Sequence, residues 1–526
     1  MLLPLFLALF LALLFYNFYW KRRNLPPGPI PLPLIGNILT IARLKPGYGA
    51  FLQWQKEYGP VFTYWMAEQP IVAFTDYKSI KETFIQNGDT YAGRNLFKDH
   101  MDLMRGGING VVLTEGDACR ENRRFALQAL REYGMGKPEI EAKLSCILVE
   151  SQYMIDSLKK EIGAGLREHN ICKWIDLAVG SVINQMLFDY RFSGGKEEEF
   201  ARFKGILDET MHEWSRPVTS TVMMCPQLRK LPIFSTAFER IKHLDEQNVD
   251  FLNTQIREYT EKFYAEGLED SKKALPFVGT YLKAKRLSNG KVNNGSILFR
   301  DDALLNFCAD LWNAGQETTG TTLAFAVLYL LLDVDTQTKL QQELDSVVAP
   351  GEQVIIAHKA KLPYTNAVVN PCSKKYVQEA QRMCNLLPQN LCHRTMRDVE
   401  LNGYLLPKST NVVPQISCVM LDEKVFPQPT RFKPERFLDK RDQLLKVEEL
   451  IPFSVGKRIC IGESLARMEL FLIIANTFHT FKVRPVDPLN PPSAEKIPGF
   501  TVAPKPYKVH LELRHPTASS FQTGHT

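Results

Sequence analysis

The run PFSVGKRICIGESLARMELF, starting at Pro452, sets Cys460 between Gly456 and Gly462, two residues behind Arg458 and just ahead of a strongly apolar helical stretch. A thiolate is a soft, anionic ligand suited to iron or zinc. Zinc would need three or four side-chain ligands. No other Cys or His lies within twenty residues upstream of Cys460, and the nearest downstream is His479. A lone thiolate therefore makes sense beside a group that brings its own remaining ligands, as a flat macrocycle does. Gly456 and Gly462 would let the loop pass close to such a ring without Cβ clashes. Backbone N–H groups opening the next helix would point at the sulfur and stabilise its charge. Arg458 would reach a carboxylate on the ring, and Phe453 would shield the thiolate from water.

A second stretch, AGQETTG at 314–320, places Glu317 and Thr318 side by side behind Gly315. Glycine inside a helix costs about 1 kcal/mol relative to alanine and lets something approach the backbone closely. An acid and an alcohol in a locally opened helix can hand protons to a bound ligand; the alternative is a polar patch on a partly exposed helix. The surrounding pattern stays helical and proline-free from Leu298 to Asp333. A second membrane span is the alternative, but the strictly apolar part, Leu323–Leu332, is too short and Asp310, Gln316 and Glu317 interrupt what precedes it, so a buried helix fits better. The pattern predicts a long helix through the centre of a large domain.

FSVGKRICIG matches FxxGxRxCxG, the haem-binding loop of the cytochrome P-450 superfamily, at every fixed position. The connector LPPGPIPLPLIGN and the AGQETT stretch match that family's patterns too. The chain resembles animal microsomal members with broad small-molecule substrates over essentially its full length. The resemblance implies a mainly α fold with small β-sheets (α+β) and haem b (iron protoporphyrin IX) as cofactor. Cys460 would be the axial iron ligand, a thiolate whose electron donation favours O–O cleavage in such enzymes. Phe453, Gly456, Arg458 and Gly462 would form the haem loop. Arg123 and His393, with Arg458, would anchor the propionates, Thr318 would assist protonation of dioxygen, and Glu317 would relay protons. A third family element, ExxR, would be EAQR, with Glu379 bridging Arg382 and Arg436 of PERF. Residues three apart share a helix face. Alone the motif is weak, since ENRR at 121 and EWSR at 213 also fit it.

The activity implied is a haem-thiolate monooxygenase, inserting one atom of O2 into an apolar or amphipathic small molecule and reducing the other to water. The chain has neither GxxxxGK[ST] nor GxGxxG, so electrons would come from NADPH through a separate flavoprotein reductase, with cytochrome b5 as a further partner. Two departures stand against this. The position four residues before Arg123, a tryptophan in the family, is Cys119, and the proline expected before His393 is Cys392. In addition, PCSKKYVQ, residues 371–378, separates Asn370 from Glu379 where the family reads continuously. Eight extra residues rotate a helix by about 80°, and Pro371 breaks it. The segment is expected to loop out, or to be an artefact of the gene model, with the helix restarting near Tyr376. The rival readings are a reductase-independent isomerase or lyase on the same fold, and a catalytically impaired, haem-poor member.

These residues need a body and a mooring. Residues 1–20 carry no charge and are long enough to cross a bilayer. Lys21, Arg22 and Arg23 follow at once, which favours a cytosolic downstream side. A signal peptide would want its basic residues before the apolar run and a small-residue cleavage site after it. The expectation is a single-pass anchor in the endoplasmic reticulum membrane, a basic stop and proline-rich connector over 21–37, one catalytic domain over 38–514, and a polar, disordered tail over 515–526. Strands are expected at 61–65 and 71–75, a helix from Ser79, mainly helices from 115 to 345, and short strands over 391–415. Residues 97–112 and 205–235, including Met101, Leu103, Met104, Met223 and Met224, would line or gate the substrate pocket. Arg120, Arg123 and Arg124 could form a basic face for an acidic reductase. The net charge of +6 over 526 residues is too mild for a dedicated nucleic-acid binder. The ten cysteines form no CxxC pair and read as free thiols facing a reducing compartment.

Overall fold

The computed structural model describes residues 2–94, 96–133, 145–288, 299–369 and 379–515. Leu2–Phe18 is one helix with apolar side chains exposed all round, and Leu3–Arg22 is long and apolar enough to span a bilayer. Ile171–Phe188 meets the same criterion but is mostly buried inside the protein. The connector does not hang free. Lys21 Nζ lies 2.8 Å from Glu68 Oε2, Asn17 donates to Pro31 O at 2.9 Å, and Thr63 N donates to Pro27 O at 3.1 Å. Gly28 lies so close to the strand that a Cβ there would stand 1.9 Å from Thr63 O. The prolines thus lay the chain along the sheet edge and fix the anchor to the body.

The principal sheet runs, in space, Val61–Met66, Gln69–Phe74, Asn411–Pro414, His393–Arg394. The first pair is an antiparallel hairpin with Val61 opposite Phe74; Gln69–Phe74 pairs parallel with 411–414, Ile71 opposite Asn411. Side chains alternate between the faces. Val72, Phe74 and Val412 join Phe84, Ile451 and Val455 on one side, while Ile71, Ala73 and Val413 join Phe51 and Trp54 on the other. The first of these clusters reaches the loop that carries Cys460. Beyond the sheet the chain turns into Tyr77–Ile80 and then a wider π turn, Lys81–Gln86, two residues earlier than the sequence suggested because Asp76 caps Ser79 N at 2.8 Å.

The expected central helix is present as Asp301–Leu332, 32 residues long. Its C-terminal half, Leu323–Leu331, is buried, as an all-round apolar helix inside a large domain must be. Ile171–Phe188 and Glu463–Thr480 pack against it. It ends at Asp333, whose side chain accepts from Thr336 N at 2.9 Å and starts Val334–Val347, bent by 105°. Pro363–Val369 and Glu379–Cys384 pack on each other. The segment 371–378, with the expected restart near Tyr376, lies outside the described residues, as does the tail from 516; the described helix begins at Glu379.

Candidate functional site

The Cys460 loop is pinned by its own backbone: Cys460 N donates to Phe453 O at 3.0 Å and Ile459 N to Gly456 O at 3.2 Å. Gly456 has φ of +71°, and a Cβ there would stand 1.9 Å from Phe84 O. A glycine is therefore required here to admit the Phe84 backbone. At Gly462 a Cβ would meet only Cys460 Sγ, at 3.8 Å, and otherwise face open space. As a whole residue Cys460 is exposed. Burial pushes its pKa up, and the backbone N–H groups of Gly462 and Glu463, with Arg123, pull it down. Phe453 turns its ring to the Arg467 guanidinium, 4.9 Å away.

Beside this loop lies a cluster of cations. Arg458, buried, donates Nε to Ala92 O at 2.7 Å and Nη2 to Thr114 O, leaving Nη1 buried and unpartnered. Arg94, also buried, donates to Val112 O at 3.0 Å and has an unpartnered Nε. His393 Nδ1 lies 2.8 Å from Tyr91 O, which places its proton there and leaves Nε2 to accept from Arg94 Nη2 at 3.5 Å. Burial and then Arg94 hold His393 well below the usual imidazole range. Burial, then Arg458 and Arg123, push Arg94 down to about 9. Arg123 Nη2 donates to Ile459 O at 2.5 Å, so it clamps the Cys460 loop. Glu115, the acid beside the group, is bound by Arg394. Leaving a buried donor unmade costs about 1–3 kcal/mol, more for a charged one, and repelling guanidiniums add to it. A flat ligand with two carboxylates, lying between this cluster and Cys460, supplies what the cluster lacks. Haem fits that donor set. Cys119, buried nearby, presents a weak thiol donor where an indole N–H would stand.

On the central helix, Thr318 Oγ1 donates to Ala314 O at 2.6 Å and Thr322 Oγ1 to Thr318 O at 2.7 Å, the back-bonding that loosens helices. Gly315 is approached by the Ile183 side chain, 3.1 Å from where its Cβ would sit, so its close neighbour is another helix. Glu317 and Thr318, adjacent in sequence, point about 100° apart. The Glu317 carboxylate accepts from Thr501 Oγ1 at 3.1 Å and from Thr321 at 3.3 Å, and lies 3.6 Å from Lys204 Nζ. Lys204 also pairs with Asp208 and lies 3.9 Å from Asp176, whose pKa burial pushes up to about 7 against the pull of Lys204.

The ExxR reading is met in full geometry. Arg382 grips Glu379 with two hydrogen bonds of 2.8 Å, Arg436 Nε reaches the same carboxylate at 3.1 Å, and Lys433 N adds a fourth at 2.9 Å. Glu379 and Arg382 are fully buried. Arg382 lies over Phe426 at 5.3 Å, which shares its cluster with Leu450, Ile451 and Val455 just ahead of the Cys460 loop.

A largely apolar cleft opens between the 38–47 segment, the sheet, and residues 214–224. Phe97 stacks on Trp214 at 6.3 Å, and Phe500 meets Trp214 edge-on at 5.2 Å. Met223 and Met224 line this cleft, and Met101, Leu103 and Met104 do not; Met101 is buried in the protein and Leu103 is exposed. The lining includes neither Cys460 nor Thr318, but Phe500 adjoins Thr501, the partner of Glu317. Arg120 is turned aside to Asp117. Arg94, Lys204 and Thr501 escaped the sequence reading. Only Arg94 left a signal there, as a lone cation within the apolar run YAGRNLF, where burial demands an anion.

A cysteine loop braced by a buried Glu–Arg–Arg triad and crossed by one long central helix defines a haem-thiolate fold. The cytochrome P450 family model matches residues 26–511, and the chain belongs to that family. It is an oxidoreductase of the monooxygenase kind, with haem as cofactor and O2 as oxidant. Cytochrome P450 2G1 of Oryctolagus cuniculus is 32% identical over 515 residues, covering 97% of this chain and 98% of the relative. Cytochrome P450 2C25 of Mesocricetus auratus is 34% identical over 490 residues, covering 93% and 94%. Cytochrome P450 2C29 of Mus musculus is 34% identical over 512 residues, covering 96% and 98%.

Proposed function

We propose that this chain hydroxylates apolar or amphipathic small molecules, drawing electrons from NADPH through a separate flavoprotein reductase, with cytochrome b5 as a second donor. It works from the endoplasmic reticulum membrane, with the Leu2–Phe18 helix as a single-pass anchor and the body in the cytosol. Haem held here supplies the activation of O2. Cys460 is the iron ligand, its charge met by the Gly462 and Glu463 backbone N–H groups. Arg458, Arg94 and His393 hold the carboxylates of the ring, and Arg123 holds the loop carrying the sulfur. Thr318 offers its hydroxyl proton from the central helix. Glu317 relays protons, its carboxylate lying 3.6 Å from Lys204 Nζ and accepting from Thr501, and Glu379, Arg382 and Arg436 keep the loop in register. The observation that carries this reading is the unpartnered Nη1 of buried Arg458, beside the loop that carries an exposed Cys460.

The test is O2 uptake and NADPH oxidation by the purified full-length chain, reconstituted with a microsomal reductase and a panel of apolar substrates. Reductase-dependent hydroxylation supports the reading. Turnover of organic peroxides with no NADPH-driven product formation would overturn it in favour of an isomerase or lyase.

A further inference from the structure

Far from Cys460 in sequence terms, three ligand-bearing side chains converge at the other end of its helix. Val334–Val347 contributes Asp345 in its last turn, Glu463–Thr480 contributes His479 next to its end, and His515 follows the strand Val509–Leu513. His515 Nε2 lies 3.5 Å from Asp345 Oδ1, and His479 Nε2 lies 4.0 Å from the same oxygen. The three ligand atoms all fall within 4.8 Å of one another. Ligands about 2.0–2.1 Å from a tetrahedral zinc stand roughly 3.4 Å apart, so small side-chain adjustments complete the set.

The unmet hydrogen bonds point the same way. His479 is 3% exposed, and its Nε2 makes no hydrogen bond; nor does the buried Nε2 of His515. At 4.0 Å the His479–Asp345 contact is too long to be one. The other hydrogen bond of His479 goes to the Val348 backbone, the kind of second contact that fixes a metal-binding imidazole. Arg514 completes the frame. It donates to Asp345 Oδ2 at 2.5 Å and to the carbonyls of Phe478 and His479 at 3.2 and 3.1 Å. It thereby orients the carboxylate and leaves Oδ1 facing the two imidazoles. An ordinary ion-pair cap would use Oδ1 for a hydrogen bond, and here it has none with either ring at bonding distance.

We propose that Asp345, His479 and His515 bind a divalent transition-metal ion of the zinc class, with water as the fourth ligand. Two imidazoles and one carboxylate select such ions over magnesium or calcium, which take oxygen ligands. The ion would tie the last turn of the Cys460 helix to the preceding bent helix and to the C-terminal strand. Arg514, a cation beside the site, tempers its affinity.

The experiment is equilibrium dialysis of the full-length holoenzyme against zinc, with metal and haem both quantified, and zinc K-edge absorption on the loaded protein. One saturable zinc per chain is expected, with two imidazoles in its coordination shell. His515→Ala, at a partly exposed position near the chain end, should weaken binding at least tenfold with haem content unchanged; Asp345→Asn should do the same. Absence of a saturable site, equal binding by His515→Ala, or a spectrum without two imidazoles would overturn the proposal.

Discussion

Two buried arginine clusters flank the same loop, and they differ in one respect. Around Glu379 the acid is met by two guanidiniums and a backbone N–H, and Arg382 spends its remaining donor on Met420 O at 2.9 Å. Around Arg458 two buried arginines and a neutral imidazole face one another with donors left over. The first cluster is complete within the chain. The second is complete only with an anion. A closed set of charges reads as structure, whereas the open set beside Cys460 is where the proposed haem carboxylates would bind.

That contrast can be broken experimentally. Glu379→Gln should have the largest effect, leaving two arginines buried without their acid at a cost of about 3–5 kcal/mol. Denaturant unfolding of the apoprotein should register it, or the variant should fail to accumulate. Arg458→Leu should act in the opposite sense on the two states. Apoprotein stability should hold or rise, because an unmet buried charge is removed, while haem retention measured by transfer to an acceptor globin should weaken roughly tenfold or more, a charged hydrogen bond contributing about 1.5–3 kcal/mol. Equal loss in both states would place Arg458 with the structural triad.

The smallest effect concerns His393. Its folded pKa lies well below the ordinary 6.5, so below pH 6.5 the unfolded chain binds the proton more readily than the folded one. This contribution to stability is present above 6.5 and is lost as pH falls toward the depressed folded value. Apoprotein melting temperature should therefore drop on acidification through that range, and His393→Asn should flatten the slope. An unchanged slope would mean the imidazole is not enclosed by the cluster.

What was legible in the sequence was local. The Cys460 loop, the ExxR pair and the central helix announce themselves by spacing over a few residues or by an unbroken helical period, and each stands where expected. The anchor was legible because a bilayer imposes a length. What failed depends on distant neighbours. Gly456 answers to Phe84, Gly315 to Ile183, and Glu317 to Thr501 and Lys204, none of which a motif contains. Nor does a motif tell which of Met101 and Leu103 faces inward: the rotation of their helix buries the first and exposes the second. Cys119, a local departure visible in the sequence, is buried in the structure.

The central claim is that Cys460 ligates haem iron, and the absorption spectrum of the reduced, CO-treated protein tests it most directly. The full-length chain should show the red-shifted Soret band of a thiolate-ligated haem. Cys460→Ala should abolish that band, whereas Cys418→Ala, at a fully enclosed thiol, should leave it intact. A wild-type spectrum without the band, or a band that survives Cys460→Ala, would contradict the account.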